Sequence, residues 1–302
     1  MNGSRGVLVF LLLSFGLAWA AEAVFLRRLP AGSHLFPMAV GALTLVPAAS
    51  ALLVRAFVER SGFRDAGLGW GRGARWYLLA WLLPIALGWT AMLLSLAFRQ
   101  AQYDPYLAEL MGRMQLTFPA MRMPPVEAVR VGLVLSSLTY AIIPSTVGAF
   151  AEEFAWRGYL LVRLRPLGAL PAAAVTGALW GLWYAPLVSL GYAYPRHPLV
   201  GVPLVVGFCT LSGVILGWLR LASGSVFAAA VARGSFKGPA QTPLAFTTGR
   251  AEFAAGPFGL IGQAVMLIFV LGLWRAGARR SREPVAPGEE DAGEFLPEQV
   301  EQ

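Results

Sequence analysis

Charge is what this chain has least of. Of 302 residues only 13% are Asp, Glu, Lys or Arg, against 57% hydrophobic. A soluble domain carries about 25% charged residues, so the composition excludes an ordinary water-soluble globule. Cysteine is nearly absent too. The single Cys209 excludes an internal disulfide and any cysteine-built metal cage. There are two histidines, His34 and His197, and one lysine, Lys237, beside 23 arginines. The net charge of +8 raises the question of nucleic acid. The basic residues, however, are scattered between apolar runs and form no stripe, so nucleic acid is not an expected partner.

What is present is apolar length. A segment must cover about 30 Å to cross a bilayer core. About eight segments qualify, near 6–26, 35–58, 76–98, 128–150, 168–190, 199–221, 224–240 and 256–276. The expected fold is therefore an all-α polytopic membrane protein with about eight transmembrane helices, in one domain over 1–282. The 224–240 segment is short and polar at its end, which suits a helix enclosed by the others. Arg5, the apolar run and Ala18-Trp19-Ala20 also have the outline of a secretory leader. With seven hydrophobic segments behind them, the expectation is a retained first span. Residues 283–302 form a Pro/Gly/Glu-rich tail with seven acids and too few apolar residues to fold alone, expected to be disordered.

Arginine placement orients the segments. With the N-terminus inside and all eight crossing, 14 arginines fall on the inner side and 8 on the outer. That asymmetry predicts both termini in the cytoplasm. The stretch from Arg55 to Arg75 supplies most of it.

One apolar run ends in Glu152-Glu153-Phe154-Ala155-Trp156-Arg157-Gly158-Tyr159-Leu160. A charge at the centre of a spanning helix costs about 2.5–3.5 kcal/mol on insertion scales, so such residues are there for pairing or for chemistry. Glu153 and Arg157, four apart, share a helix face and can neutralise each other. Glu152 is turned roughly 100° away and has no such partner in its own helix.

With this motif the chain resembles the CAAX prenyl proteases and bacteriocin-processing enzymes, the CPBP or Abi family of intramembrane metalloendopeptidases. Three motifs carry the resemblance, within 128–240. The first is the Glu-Glu-x-x-x-Arg run of Glu152, Glu153 and Arg157. The second is an aromatic helix, here Trp180-Gly181-Leu182-Trp183-Tyr184-Ala185-Pro186. The third begins at Gly224-Ser225 and runs to Lys237. The resemblance implies a helical intramembrane peptide hydrolase with zinc or another divalent metal, in which the first glutamate activates water. Its partners would be membrane lipid and a membrane-embedded or lipidated peptide, and its place a bacterial cytoplasmic membrane.

The departures matter as much. Where the family has two histidines and an asparagine, this chain has Tyr184, Arg233 and Lys237. Arginine offers five donors and no acceptor, so it is no metal ligand. A tyrosine hydroxyl is a poor substitute for imidazole. The metal ligands implied by the resemblance are thus missing. His197 lies among prolines in an outer loop and His34 precedes the second segment, where both read as surface residues. Two readings follow. In one, Arg233 or Lys237 pairs with Glu152, and the site is degenerate and binds membrane peptides or partners without cutting them. In the other, Glu152 is a general base and Arg233 or Lys237 steadies the oxyanion, although a cation so close makes a carboxylate a weaker base. A transporter is a third class, disfavoured by the motifs and by the lack of an inverted repeat.

The remaining signals have plainer readings. The Trp180, Trp183 and Tyr184 cluster is expected to pack helices and anchor the membrane interface. Small residues over 168–181 let helices approach closely. Pro144, Pro171 and Pro186 are expected to kink or end helices. The stretch from Tyr103 to Met123 reads as an amphipathic interfacial segment.

Overall fold

A computed structural model describes residues 2–28 and 35–280. His34 and the acidic 283–302 tail lie outside the described residues. The described chain is helical, apart from a two-residue ladder pairing β1 (Gln102–Tyr103) antiparallel with β2 (Thr247–Thr248).

Four helical segments are long and apolar enough to cross a membrane: Ser4–Val24, Met38–Glu59, Ala74–Ala97 and Pro198–Ser223. The first lies in α1 (Asn2–Val24). The second joins α2 (Leu35–Leu43) to α3 (Val46–Leu53) and runs on through a π-helical stretch, Val54–Glu59. The others are α4 (Ala74–Ala97) and α11 (Pro198–Ser223). A fifth span exists if the bent pair Val126–Ser137 and Ile142–Leu167 is one crossing, with its halves inclined at 47°. By helix length and hydropathy this is a multi-pass membrane protein.

Of the eight expected spans, helix length and hydropathy support four or five. Apolar composition alone cannot separate a crossing from a short helix shut inside the bundle. At 1.5 Å per residue, the 15 residues of α9 (Ala169–Trp183) rise about 22 Å and the 12 of α12 (Val226–Lys237) about 18 Å, both short of the bilayer core. α12 is enclosed, with Ala228, Ala229, Ala230 and Ala232 fully buried. The last helix, α13 (Leu260–Arg280), is apolar only over Leu260–Ala276.

The remaining helices in chain order are α5 (Ala108–Thr117), α6 (Val126–Ser137), α7 (Ile142–Glu153), α8 (Leu161–Leu164) and α10 (Ala185–Ser189). A π-helical stretch, Phe154–Leu160, joins α7 to α8. α5 has no buried residue, which agrees with a surface segment; its Glu109 is paired with Arg113 and Arg250. Pro144 and Pro171 sit in the first turns of α7 and α9, and Pro186 opens α10 after the break at Tyr184, where a missing N–H is tolerated.

Two close crossings set the core. α9 and α11 meet at Gly177 and Gly213, where a Cβ on Gly213 would stand 2.6 Å from the Gly177 Cα. α12 rests on α7 at Gly234, whose added Cβ would lie 2.6 Å from the Thr146 amide nitrogen. No side chain fits at either place, so the backbones touch.

At one end of the bundle the N-terminal turns of α1, the 60–73 loop, α8 and the end of α11 converge on an ion network. Arg55 is fully buried. It donates to Gly62 O at 2.6 Å, to Asp65 at 2.7 Å and to Gly158 O at 3.0 Å. Arg163 spans Glu59, at 2.6 Å, and Asp65, while the Tyr159 hydroxyl donates to Glu59 at 2.8 Å. Arg220 donates to Asp65 O at 2.9 Å. Arg55, read from the sequence as a topology charge, is instead a core residue holding a loop to two helices.

Burial pushes the Asp65 carboxyl up, but hydrogen bonds and charge from Arg55 and Arg163 outweigh it and hold it below its ordinary value. A depressed folded pKa contributes stability that is present above the unfolded value, about 3.9, and lost as pH falls through the folded one. Thermal unfolding in detergent should therefore show Tm falling as pH is lowered from 5 toward 3. Asp65→Asn should lower Tm at pH 7 and flatten that acid slope. An unchanged slope in the variant would contradict this role.

Candidate active site

Glu152 and Glu153 close α7 at the start of the π-helical turns, well inside the Ile142–Leu167 segment and not at its end as the sequence reading had them. A π-helical stretch widens the turn and is frequent at functional sites. Every residue from Glu152 to Leu161 is buried.

Within this stretch Arg157 Nη1 donates to Glu153 Oε1 at 2.9 Å, the i,i+4 pair expected from spacing, with both side chains at most 1% exposed. Glu152 turns to other helices. Its Oε2 accepts from Trp180 Nε1 at 3.0 Å and from the Tyr184 hydroxyl at 2.9 Å, both on α9 or at its end. Arg233, on α12, brings Nη2 to 3.6 Å from the same oxygen. The Gly234 crossing makes this reach possible by bringing α12 down onto α7.

Trp180 is the hub of the cluster. Besides donating to Glu152, its ring lies 4.7 Å from the guanidinium carbons of both Arg157 and Arg233. Cation–π contacts are worth about 2 kcal/mol when desolvated, so one indole helps hold both arginines. Two carboxylates face two guanidiniums, and the group is formally neutral.

Of the six residues singled out from the sequence, Glu152, Glu153, Arg157, Tyr184 and Arg233 form one cluster. Lys237 does not join it. It is exposed at the end of α12 and has no ion-pair partner among the described residues. Of the two cations offered as partners for Glu152, Arg233 takes the position.

The aromatic cluster packs helices as expected, and only its interface role is corrected. Trp180 and Trp183 are 1% and 0% exposed, so neither anchors an interface. Trp183 donates to Ser14 O at 3.0 Å, binding α9 to α1, and Tyr184 packs edge-on to it. The overlooked signal was the i,i+4 spacing of Trp180 and Tyr184, which puts an N–H and an O–H donor on one face of α9. Tyr192 stacks parallel to Tyr184 with ring centroids 6.5 Å apart and is 38% exposed, linking the cluster to the 190–197 loop.

The donor set does not fit the metal that the resemblance implies. A zinc centre takes three or four N, S or O ligands. Within the cluster, Glu152 Oε1 and Glu153 Oε2 are buried carboxylate oxygens without hydrogen-bond partners among the described residues. Two guanidiniums stand where a cation would have to be accommodated. No group of three His, Cys, Asp or Glu side chains with metal-holding geometry occurs among the described residues. His197 lies elsewhere, 53% exposed, bound to Glu252 at 2.8 Å and packed on Phe253.

This arrangement agrees with the comparison by sequence. Residues 131–238 match the family model of the Rce1-like type II CAAX prenyl endopeptidases. The chain carries an Rce1-like domain. The domain spans α6 to α12, about a third of the chain, and contains all five clustered residues as well as Lys237. No curated protein matches the chain.

Losing Glu152 would strand Arg233 and leave two buried donors, Trp180 Nε1 and the Tyr184 hydroxyl, without an acceptor. Breaking one side of a buried pair costs about 3–5 kcal/mol. Glu152→Ala should thus unfold well below the parent in a detergent melt, and Glu152→Gln, which keeps an acceptor, should lose less. Equal melting temperatures for Glu152→Ala and the parent would remove the pair from any structural role.

Proposed function

We propose that the Rce1-like domain binds a membrane-embedded or lipidated peptide without hydrolysing it, in a bacterial cytoplasmic membrane with both termini on the cytoplasmic side. The observation that carries this reading is the engagement of Glu152. A general base must offer a lone pair to water within about 2.6–3.2 Å. Glu152 is fully buried, and its Oε2 already accepts two hydrogen bonds and faces Arg233. The family histidines are replaced by Tyr184, which donates a hydrogen bond to the glutamate, and by Arg233, which faces it as a counter-charge.

Peptide binding is supported by what remains accessible. Arg233 is 11% exposed and Lys237 follows it one helical turn later, so cationic donors lie at the margin of the cluster. Tyr192 adds an aromatic surface on the outer side. A peptide segment within the bilayer has unpaired carbonyls where it leaves regular structure, and such donors can satisfy them.

One observation favours a second reading. Glu152 Oε1 has no hydrogen-bond partner among the described residues. A water reaching it could be deprotonated there, with Arg233 steadying the oxyanion as an arginine can.

The two readings part in proteoliposomes holding a lipidated reporter peptide. On the binding reading, the parent and Glu152→Gln release the same background of fragment, and both retain the peptide. If Glu152 works as a base, its removal should cost about 100-fold or more in rate. Product from the parent that vanishes in Glu152→Gln would replace the binding reading with metal-free hydrolysis.

A further inference from the structure

The 60–75 region bears four exposed arginines, Arg60, Arg64, Arg72 and Arg75. None has a carboxylate partner among the described residues. The two acids of this end, Glu59 and Asp65, are already taken by Arg55 and Arg163. The loop is nonetheless held firmly. Arg72 N donates to Ser223 O at 2.8 Å, Val226 N to Gly67 O at 2.8 Å, and the Ser225 hydroxyl to Gly69 O at 2.6 Å. The Tyr77 hydroxyl donates to Trp70 O at 2.8 Å, fixing Trp70 outward with 78% of its surface exposed.

Directly below this cationic rim the outer face of α4 is hollowed. A groove of about 590 Å³ has Arg75 at its mouth and Trp76, Leu78, Leu79 and Leu82 along it. A second hollow of about 350 Å³ lies beside it, between Trp70 and Tyr77. From Arg75 to Leu82 the helix descends about 10 Å, a good part of one leaflet's hydrocarbon depth. The face therefore offers guanidiniums without carboxylate partners, Arg75 among them resting 5.5 Å over Trp76, together with an outward indole and an open apolar groove along α4.

From these features we infer that the Arg72/Arg75 end of α4 is a binding site for one anionic phospholipid, with its phosphate on the arginines and an acyl chain along Trp76, Leu79 and Leu82. Charge complementarity selects this occupant. A zwitterionic headgroup would bring an ammonium toward four uncompensated guanidiniums, whereas an anionic one neutralises them. The inner leaflet, where the arginine asymmetry orients this end, is also where anionic lipid attracts basic segments. This site is separate from the Glu152 cluster and does not depend on how that cluster is read.

The test is native mass spectrometry of the full chain, delipidated in detergent and titrated with phosphatidylglycerol or phosphatidylcholine of the same acyl chains. One phosphatidylglycerol should be retained about thirtyfold more tightly than phosphatidylcholine, as two neutralised arginines imply. Arg72→Gln/Arg75→Gln should abolish that preference, while Arg60→Gln/Arg64→Gln should change it less than about threefold. Leu79→Trp, which fills the groove and leaves every charge in place, should also lose the lipid. Soluble glycerol phosphate should not displace it. Equal retention of the two lipids would overturn the inference. So would undiminished binding in the Arg72/Arg75 or Leu79 variant, or displacement by glycerol phosphate. Should the arginine variant fail to fold, the lipid comparison on the parent and the Leu79 variant still decide.

Discussion

Taking four ionisable side chains into the middle of a membrane bundle is tolerable only if they answer one another. Here they do so around one indole. Glu153 pairs with Arg157 inside one helix, Glu152 faces Arg233 across two, and Trp180 touches both arginines while donating to Glu152. Three elements thereby share a single electrostatic centre: α7 with its π-helical extension, α9 and α12. The contact of α12 on α7 at Gly234 is the geometric condition for it, because any side chain there would push Arg233 away from the glutamate.

The same logic recurs at the end of the bundle that carries the 60–73 loop, with a different outcome. Arg55, Arg163, Glu59 and Asp65 also answer one another, but they use the pairing to hold a loop against α8 and α11. Having consumed the local acids, this network leaves the exposed arginines of the loop without a carboxylate partner among the described residues. The surface charge of that end is thus a consequence of how its interior is paired.

Much of this was legible in the sequence, for identifiable reasons. Membrane character follows from composition, and the Glu153–Arg157 pair from a spacing of four. The replacement of imidazoles by Tyr184 and Arg233 was visible from the motif register, and the exclusion of arginine as a ligand from its chemistry. The number of spans was legible only in part: helix length and hydropathy support four or five of them. Hydrophobicity does not report length in space, and α9 is as apolar as a spanning helix over only 15 residues. Nor could the sequence say which cation meets Glu152. Arg233 and Lys237 share a helix face, and only the depth at which α12 packs puts one inside and the other out. The interface role given to Trp180 and the loop role given to Arg55 failed because aromatics and arginines near apolar run ends usually mark interfaces and loops, and both are in fact buried.

The account rests on Glu152 and Arg233 being energetically coupled, since that coupling is what distinguishes a charge-paired core from a glutamate free for catalysis. A double-mutant cycle on detergent unfolding, using Glu152→Gln, Arg233→Met and the combination, measures it directly. The account predicts a coupling energy of about 2 kcal/mol, within the 0.5–3 kcal/mol found for residues in one charge network. Single effects that simply add, to within about 0.5 kcal/mol, would contradict it.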